Sequence, residues 1–171
     1  MHKTVLGPCC IIRIQTWSRE TSAFAAIEEL LDVSWPTLTG HVARGRADIL
    51  CIGPTDWLVL APQTDGAALV RHLGVAFEGS TARATDVSQA LVRIQITGTA
   101  VRDLLAKGCS LDLHAPLFPV GRALRTRFAG MPVIVHCTGT ATFELLVTRS
   151  YADFLLSWLA DAQLEFETPP E

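Results

Sequence analysis

Two stretches decide the reading of this chain: CIIRIQTWS, Cys10 to Ser18, and ALVRIQITG, Ala90 to Gly98. In each, apolar residues alternate with Arg and Gln, so that Ile12, Arg13, Ile14 and Gln15 match Val92, Arg93, Ile94 and Gln95. A period of two sends alternate side chains to opposite faces and marks a half-buried strand. A helix follows each. In the first, Phe24, Ile27 and Leu31 recur at helical spacing after Thr21-Ser22, residues suited to an N-cap. In the second, Val101, Leu104 and Leu105 recur before Gly108, a helix stop.

The echo continues downstream. GPTDWLVLAPQTDGAALVRHL (Gly53 to Leu73) matches GTATFELLVTRSYADFLLSWL (Gly139 to Leu159) as turn, apolar strand, polar break and helix. Strands at Asp48–Ile52 and Met131–Cys137 are expected to pair with their successors as hairpins. In the last helix, Ser150 and Asp153 have capping-box spacing. Tyr151, Phe154, Leu155, Trp158 and Leu159 form one apolar stripe. Strand, helix, strand, strand, helix, strand is the ferredoxin-like unit, read roughly twice. The expected fold is therefore α+β, with two ferredoxin-like (βαββαβ) repeats packed together as one compact unit. The first repeat covers residues 1–80 and the second 81–171. Asp32 to Arg46 and Cys109 to Gly121 read as irregular segments, and FETPPE reads as a frayed end.

With 171 residues the chain can bury a real core, and 49% hydrophobic against 18% charged residues is an apolar balance. Such a surplus fits a thick core or a face covered by a partner. A net charge of -3 argues against nucleic acid as the main ligand. No apolar run is long enough to span a membrane, and the N-terminus lacks a signal-peptide pattern. Five cysteines without a C-x-x-C pair suggest reduced thiols in a cytoplasmic protein.

The most chemical-looking stretch is KGCSLDLHAPLFPVGR, Lys107 to Arg122. Cys109 and His114 could be a nucleophile and its base, or part of a metal site. Against the first, Cys109 follows a helix C-terminus, where the dipole disfavours a thiolate. Against the second, the other histidines are scattered, whereas a structural zinc takes about four ligands. The simpler reading is a loop pinned to the core by Leu111, Leu113, Leu117 and Phe118. Asp86, in TDVSQA, reads as a turn former. Glu28-Glu29 reads as a solvated helix face. No dinucleotide or P-loop fingerprint occurs. Arg122, Arg125 and Arg127 form the one charge cluster. On a strand the last two share a face, which suits a carboxylate-bearing partner. No catalytic, cofactor-binding or metal residue is assigned. Cys109, His114, Arg122, Arg125 and Arg127 are the candidate partner contacts.

These residues carry a family resemblance. The Asp86-Val87-Ser88 turn, LLAKGC (Leu104 to Cys109) with DLH (Asp112 to His114), FPxGR (Phe118 to Arg122), RSYADFLxxWL (Arg149 to Leu159) and GPTDWLVL (Gly53 to Leu60) resemble the gamma subunit of heterotetrameric sarcosine oxidase. The match is specific from about Gly53 onward. The chain is compact for such a subunit, as if an N-terminal extension were absent. The resemblance implies the aminomethyltransferase, folate-binding fold. It implies a complex with alpha, beta and delta subunits that oxidatively demethylates sarcosine to glycine. FAD, FMN, NAD, tetrahydrofolate and zinc would be held by those other subunits, and this chain would have no active site of its own. The alternatives are the equivalent subunit of a related N-methyl amino acid dehydrogenase or oxidase, and a stand-alone folate-binding module.

Overall fold

A computed structural model of the chain describes residues 1–17, 21–63 and 66–166. The described residues form ten strands and four α-helices in two compact units. One unit is Gly7–Gln89. The other joins Met1–Leu6 to Ala90–Glu171.

The Gly7–Gln89 unit runs β2 (Cys10–Gln15), α1 (Thr21–Leu31), β3 (Val42–Arg44), β4 (Asp48–Gly53), β5 (Asp56–Ala61), α2 (Gly66–Ala76) and β6 (Arg83–Asp86). Its sheet order is β3-β4-β5-β2-β6 and every pairing is antiparallel. Without β3 this is the ferredoxin-like arrangement. The expected stripe of α1 is real: Phe24, Ile27 and Leu31 are buried with Leu69 and Leu73 of α2 over Ile12, Ile14, Ile49 and Val59. Each such side chain contributes roughly 1.5–3 kcal/mol. Phe24 stacks on Trp35 at 4.7 Å and meets Trp57 at 5.5 Å. Gly66 opens α2 where a β-carbon would come within 2.8 Å of the Cys10 sulfur, so only glycine lets the helix start this close to β2. The cap assigned to Thr21-Ser22 falls on side chains outside the described residues.

The other unit runs β7 (Leu91–Thr97), α3 (Val101–Ala106), β8 (Ala123–Phe128), β9 (Met131–Gly139), β10 (Thr142–Thr148) and α4 (Ala152–Gln163). Its sheet order is β1-β7-β10-β9-β8, with β1 (His2–Val5) antiparallel to β7. Val101, Leu104 and Leu105 of α3 are buried with Leu155 and Leu159 of α4 over Ile94, Val135, Phe143 and Leu145.

The two hairpins share a device. Cys51 Sγ donates to Gly53 O at 3.3 Å, and Cys137 Sγ donates to Gly139 O at 3.3 Å. In both, the ladder slips beside the glycine, which pairs with Asp56 in one unit and Thr142 in the other. The expected hairpins and the duplicated α+β pattern are therefore present.

Several expectations change. The division at residues 80 and 81 moves to Gln89 and Ala90, because β6 pairs with β2 and the Asp86-Val87-Ser88 turn ties back to Ile11. The fourth strand of the later repeat does not follow α4. The chain's own start, β1, takes that edge beside β7 and so belongs to the later half. The segment Asp32 to Arg46 contains β3. Ser150 is not a cap: a 3₁₀ turn covers Arg149–Tyr151 and α4 starts at Ala152 with no side-chain cap hydrogen bond. That added turn rotates the helix, so Ala152, Leu155, Leu159 and Ala162 form the buried face. Tyr151 and Phe154 are exposed and Trp158 is half-buried, its ring edge-on to Phe128 at 4.9 Å. Of the tail, Leu164–Phe166 is a 3₁₀ turn, and the rest lies outside the described residues.

Candidate functional site

The segment from α3 to β8 contains every residue singled out as a contact. α3 is one and a half turns long and ends at Ala106. Gly108 follows with its Cα against the Phe128 ring, where a β-carbon would lie 2.4 Å from the ring. The chain then turns along the end of β8, with Ala129 N–H donating to Gly108 O at 2.7 Å and Cys109 bridging Phe128.

Cys109 is half-buried. Its thiol donates to Leu105 O at 3.5 Å, and burial pushes its pKa up, against a smaller opposing effect of the Leu111 N–H. Lys107, the nearest cation in sequence, pairs instead with Glu165 and stands 5.6 Å over the Phe166 ring. His114 is exposed, and the Asp112 side chain accepts its backbone N–H at 2.9 Å. Its carbonyl accepts from Leu117 and Phe118. The Cys109 thiol and the His114 backbone are thus held by separate local bonds and share none.

The residue that shapes this loop was not singled out from sequence. Arg102, on α3, donates from Nη1 to Leu113 O at 2.5 Å and Phe118 O at 3.0 Å, and its guanidinium lies 4.9 Å from the Phe143 ring centre. Its Nη2 also approaches Cys137 Sγ at 3.6 Å. Leu113 and Phe118 are buried on either side, whereas Leu117 and Val120 are exposed. The sequence signal was an Arg directly after buried Val101 and two positions before buried Leu104 on a short helix.

Arg122 is half-buried, with no hydrogen-bond partner for its Nε among the described residues. Its carbonyl accepts from Cys137 N–H at 2.8 Å, and the Cys137 carbonyl accepts from Gly121, a bulge that opens β8. Arg125 and Arg127 share one face of β8 as expected, and both are exposed. Arg127 Nη2 reaches Gly130 O at 2.7 Å.

The remaining polar groups hold the fold. Arg13 makes a two-point pair with Asp56, Nε to Oδ1 at 2.9 Å and Nη2 to Oδ2 at 2.6 Å, which pushes the Arg13 pKa up. Arg93 pairs with Glu144 Oε2 from both Nε (3.1 Å) and Nη2 (2.7 Å). Asp86 accepts from the Ser88 hydroxyl at 2.5 Å and the Ser88 N–H at 2.9 Å, which lowers its pKa. The same hydroxyl accepts Ile11 N–H at 2.9 Å. Cys10, beside this turn, has its pKa raised, first by burial and then by the Asp86 charge. Glu28 is not simply solvated: its carboxylate accepts Trp35 N–H at 2.6 Å and fixes the chain after α1. Among the described residues no three His, Cys, Asp or Glu side chains come together as metal ligands would.

Two antiparallel α+β units, with polar side chains that tie strands and loops together, define a chain of two ferredoxin-like modules. The model of the sarcosine oxidase gamma subunit family matches residues 18–165. The sarcosine oxidase subunit gamma of Corynebacterium sp. (strain P-1) is 32% identical over 153 residues, 88% of this chain and 74% of that one. The Arthrobacter sp. subunit gamma is 32% identical over 152 residues, 87% of this chain and 73% of its own. Among solved structures, the heterotetrameric sarcosine oxidase from Corynebacterium sp. U-96 in complex with pyrrole 2-carboxylate superposes with a TM-score of 0.90 at 26% identity, covering 99% of this chain and 86% of that chain. Aminomethyltransferase T of the glycine cleavage system from Bartonella henselae shares the fold, with a TM-score of 0.63 at 11% identity over 92% of this chain and 44% of that one. The chain belongs to the sarcosine oxidase gamma subunit family.

Proposed function

We propose that this chain is the non-catalytic gamma subunit of a heterotetrameric sarcosine oxidase, and that it works by docking to alpha, beta and delta subunits. The observation that carries the reading is the family match over residues 18–165 together with the likeness to the solved oxidase. The complex converts sarcosine to glycine by oxidative demethylation. FAD, FMN, NAD, tetrahydrofolate and zinc belong to the other subunits. This chain supplies shape: the loop Cys109 to Arg122, clamped by Arg102, and the β8 strand bearing Arg125 and Arg127 form the docking surface. Leu117 and Val120 of the loop and Arg125 and Arg127 of β8 are exposed, which offers a partner apolar area and positive charge. A reducing cytoplasm suits a chain whose cysteines include the buried thiols Cys10, Cys51 and Cys137.

The test is co-expression of a tagged chain with the other three subunits. Co-purification of a flavin-bearing complex that oxidises sarcosine is the expected result. Failure to co-purify would overturn the reading. Tight tetrahydrofolate binding by the chain alone would favour a stand-alone folate-binding module.

A further inference from the structure

α4 fills the core from one side and leaves aromatic rings on the next. Its Leu155 and Leu159 are buried with Val101 and Leu104 of α3. Tyr151, in the 3₁₀ turn that leads in, is 43% exposed, Phe154 is 56% exposed and Trp158 is half-buried. Residues three and four apart are neighbours on a helix surface, so Phe154 and Trp158 share a face, and Tyr151 stands one turn ahead of them. A single exposed apolar side chain is ordinary, but three aromatics on successive turns form a contiguous strip of the kind that marks a contact surface. The strip also adjoins the docking surface named above: Trp158 meets Phe128 at the end of β8, and Glu165 pairs with Lys107 at the start of the loop.

Charge marks the same strip. From Tyr151 to the end of the sequence there is no Lys, Arg or His, whereas Asp153, Asp161, Glu165, Glu167 and Glu171 are acidic; Arg149 lies just ahead of this stretch. Asp153 sits beside Phe154, and Asp161 carries the face of Phe154 and Trp158 one turn further. Both carboxylates are exposed, and among the described residues neither makes an ion pair.

We propose that this strip of α4 seats against another subunit of the oxidase, on an apolar face bordered by arginines, with Tyr151 and Phe154 as the buried anchors and Asp153 and Asp161 paired at the rim. The inference rests on the gamma-subunit reading. Aromatic anchors carry much of the energy at the centre of an interface. Arginine both stacks on aromatic rings and forks onto carboxylates, and the strip offers the two side by side. A second copy of this chain is a poorer occupant. A two-fold contact sets the same patch against itself, so Asp153 and Asp161 would meet their own kind.

The experiment is hydroxyl-radical footprinting of the full chain, free and in the assembled tetramer, together with the Y151A/F154A and D153N/D161N variants. Docking removes most of the labelling of Tyr151 and Phe154. Y151A/F154A weakens assembly by about 30-fold or more. Its circular dichroism matches wild type, because both rings are exposed in the chain. D153N/D161N slows association, and the difference from wild type shrinks at high salt. If labelling is unchanged on assembly, or Y151A/F154A assembles as wild type does, the strip is no anchor and the proposal falls. If the rings are protected but neither D153N/D161N nor salt affects assembly, an arginine-bordered partner is wrong. If the chain alone forms a dimer that Y151A/F154A abolishes, a second copy is the occupant and the proposal falls. If the wild-type chain never joins the tetramer, it is the gamma-subunit reading that fails.

Discussion

Arg93 and Glu144 form an ion pair at 2.7 Å whose counterpart in the other unit, Arg13 with Asp56 at 2.6 Å, is displaced by two residues along the sheet. Each arginine reaches the carboxylate two residues before its opposite number: Arg13 faces Leu58 and bonds Asp56, and Arg93 faces Leu146 and bonds Glu144. The hairpin glycines, however, align Asp56 with Thr142. On that alignment Gln15, opposite Asp56, corresponds to Thr97 and not to Gln95. A slip of two keeps every side chain on its face, so the pair survives where a slip of one would have buried it in the core.

The two pairs differ in exposure, with side chains 19% and 9% exposed in the Arg93 pair and 36% and 13% in the Arg13 pair. Glu144→Ala takes the carboxylate from a guanidinium that is largely shielded from water, and the cost is about 3–5 kcal/mol. Asp56→Ala costs less, about 1 kcal/mol, because water reaches Arg13. Denaturant midpoints of both variants check the order, and equal losses would contradict it.

Arg102→Met should release the loop. It removes two charge-assisted bonds to Leu113 O and Phe118 O, each worth roughly 1.5–3 kcal/mol. Proteolysis and hydrogen exchange should rise within Cys109 to Gly121 while β9 and β10 stay protected. Arg102→Lys should rescue little, because one ammonium cannot serve both carbonyls and lie flat on Phe143.

For Trp158 the geometry lowers the expected cost. It is half-buried and contacts Phe128 at its edge, so Trp158→Ala should cost about 1–3 kcal/mol, below the ~3–5 of a fully buried Trp. Leu155→Ala and Leu159→Ala, both fully buried, should cost about 2–5 kcal/mol. Thermal or denaturant unfolding of the three variants ranks them.

The Asp86 turn gives a pH effect with a definite sign. Its carboxyl is held below the usual range by the Ser88 hydroxyl and then the Ser88 N–H. A lowered folded pKa stabilises above the unfolded value, and that stability is lost as pH falls below about 4. Asp86→Asn should therefore be less stable than wild type near neutrality and converge with it in acid. A difference that stays constant down to about pH 3 would mean the carboxylate charge is not involved.

The repeat was legible because period-two alternation and glycine turns are local signals. Phe24, Ile27 and Leu31, and Val101, Leu104 and Leu105, all lie in the core as their spacing required. What was hidden was non-local. β1 is four residues long and pairs with β7 from His2↔Thr97 to Val5↔Ile94, a separation that no window around it reveals. The register slip was hidden because RIQ matches RIQ in the sequence whatever lies opposite. α4 was misplaced because Ser150 and Asp153 have capping-box spacing, but the chain forms a 3₁₀ turn there and starts the helix later. At the site, the shared face of Arg125 and Arg127 followed from strand alternation, whereas Arg102 acts on carbonyls 11 and 16 residues away.

The loop between α3 and β8 can be tested for chemistry directly. Cys109 has a thiol whose pKa is raised by burial and whose hydrogen bond goes to Leu105 O, and His114 points its backbone to Asp112 with its side chain exposed. A nucleophile needs a thiolate and an adjacent base, and this arrangement gives Cys109 neither. In the assembled oxidase, Cys109→Ser and His114→Ala should each leave sarcosine turnover within about twofold of wild type, since removing a general base would cost about 100-fold or more. Turnover, flavin content and subunit stoichiometry are measured on the same preparation. A drop of several orders of magnitude with normal flavin and stoichiometry would place the loop in the reaction itself.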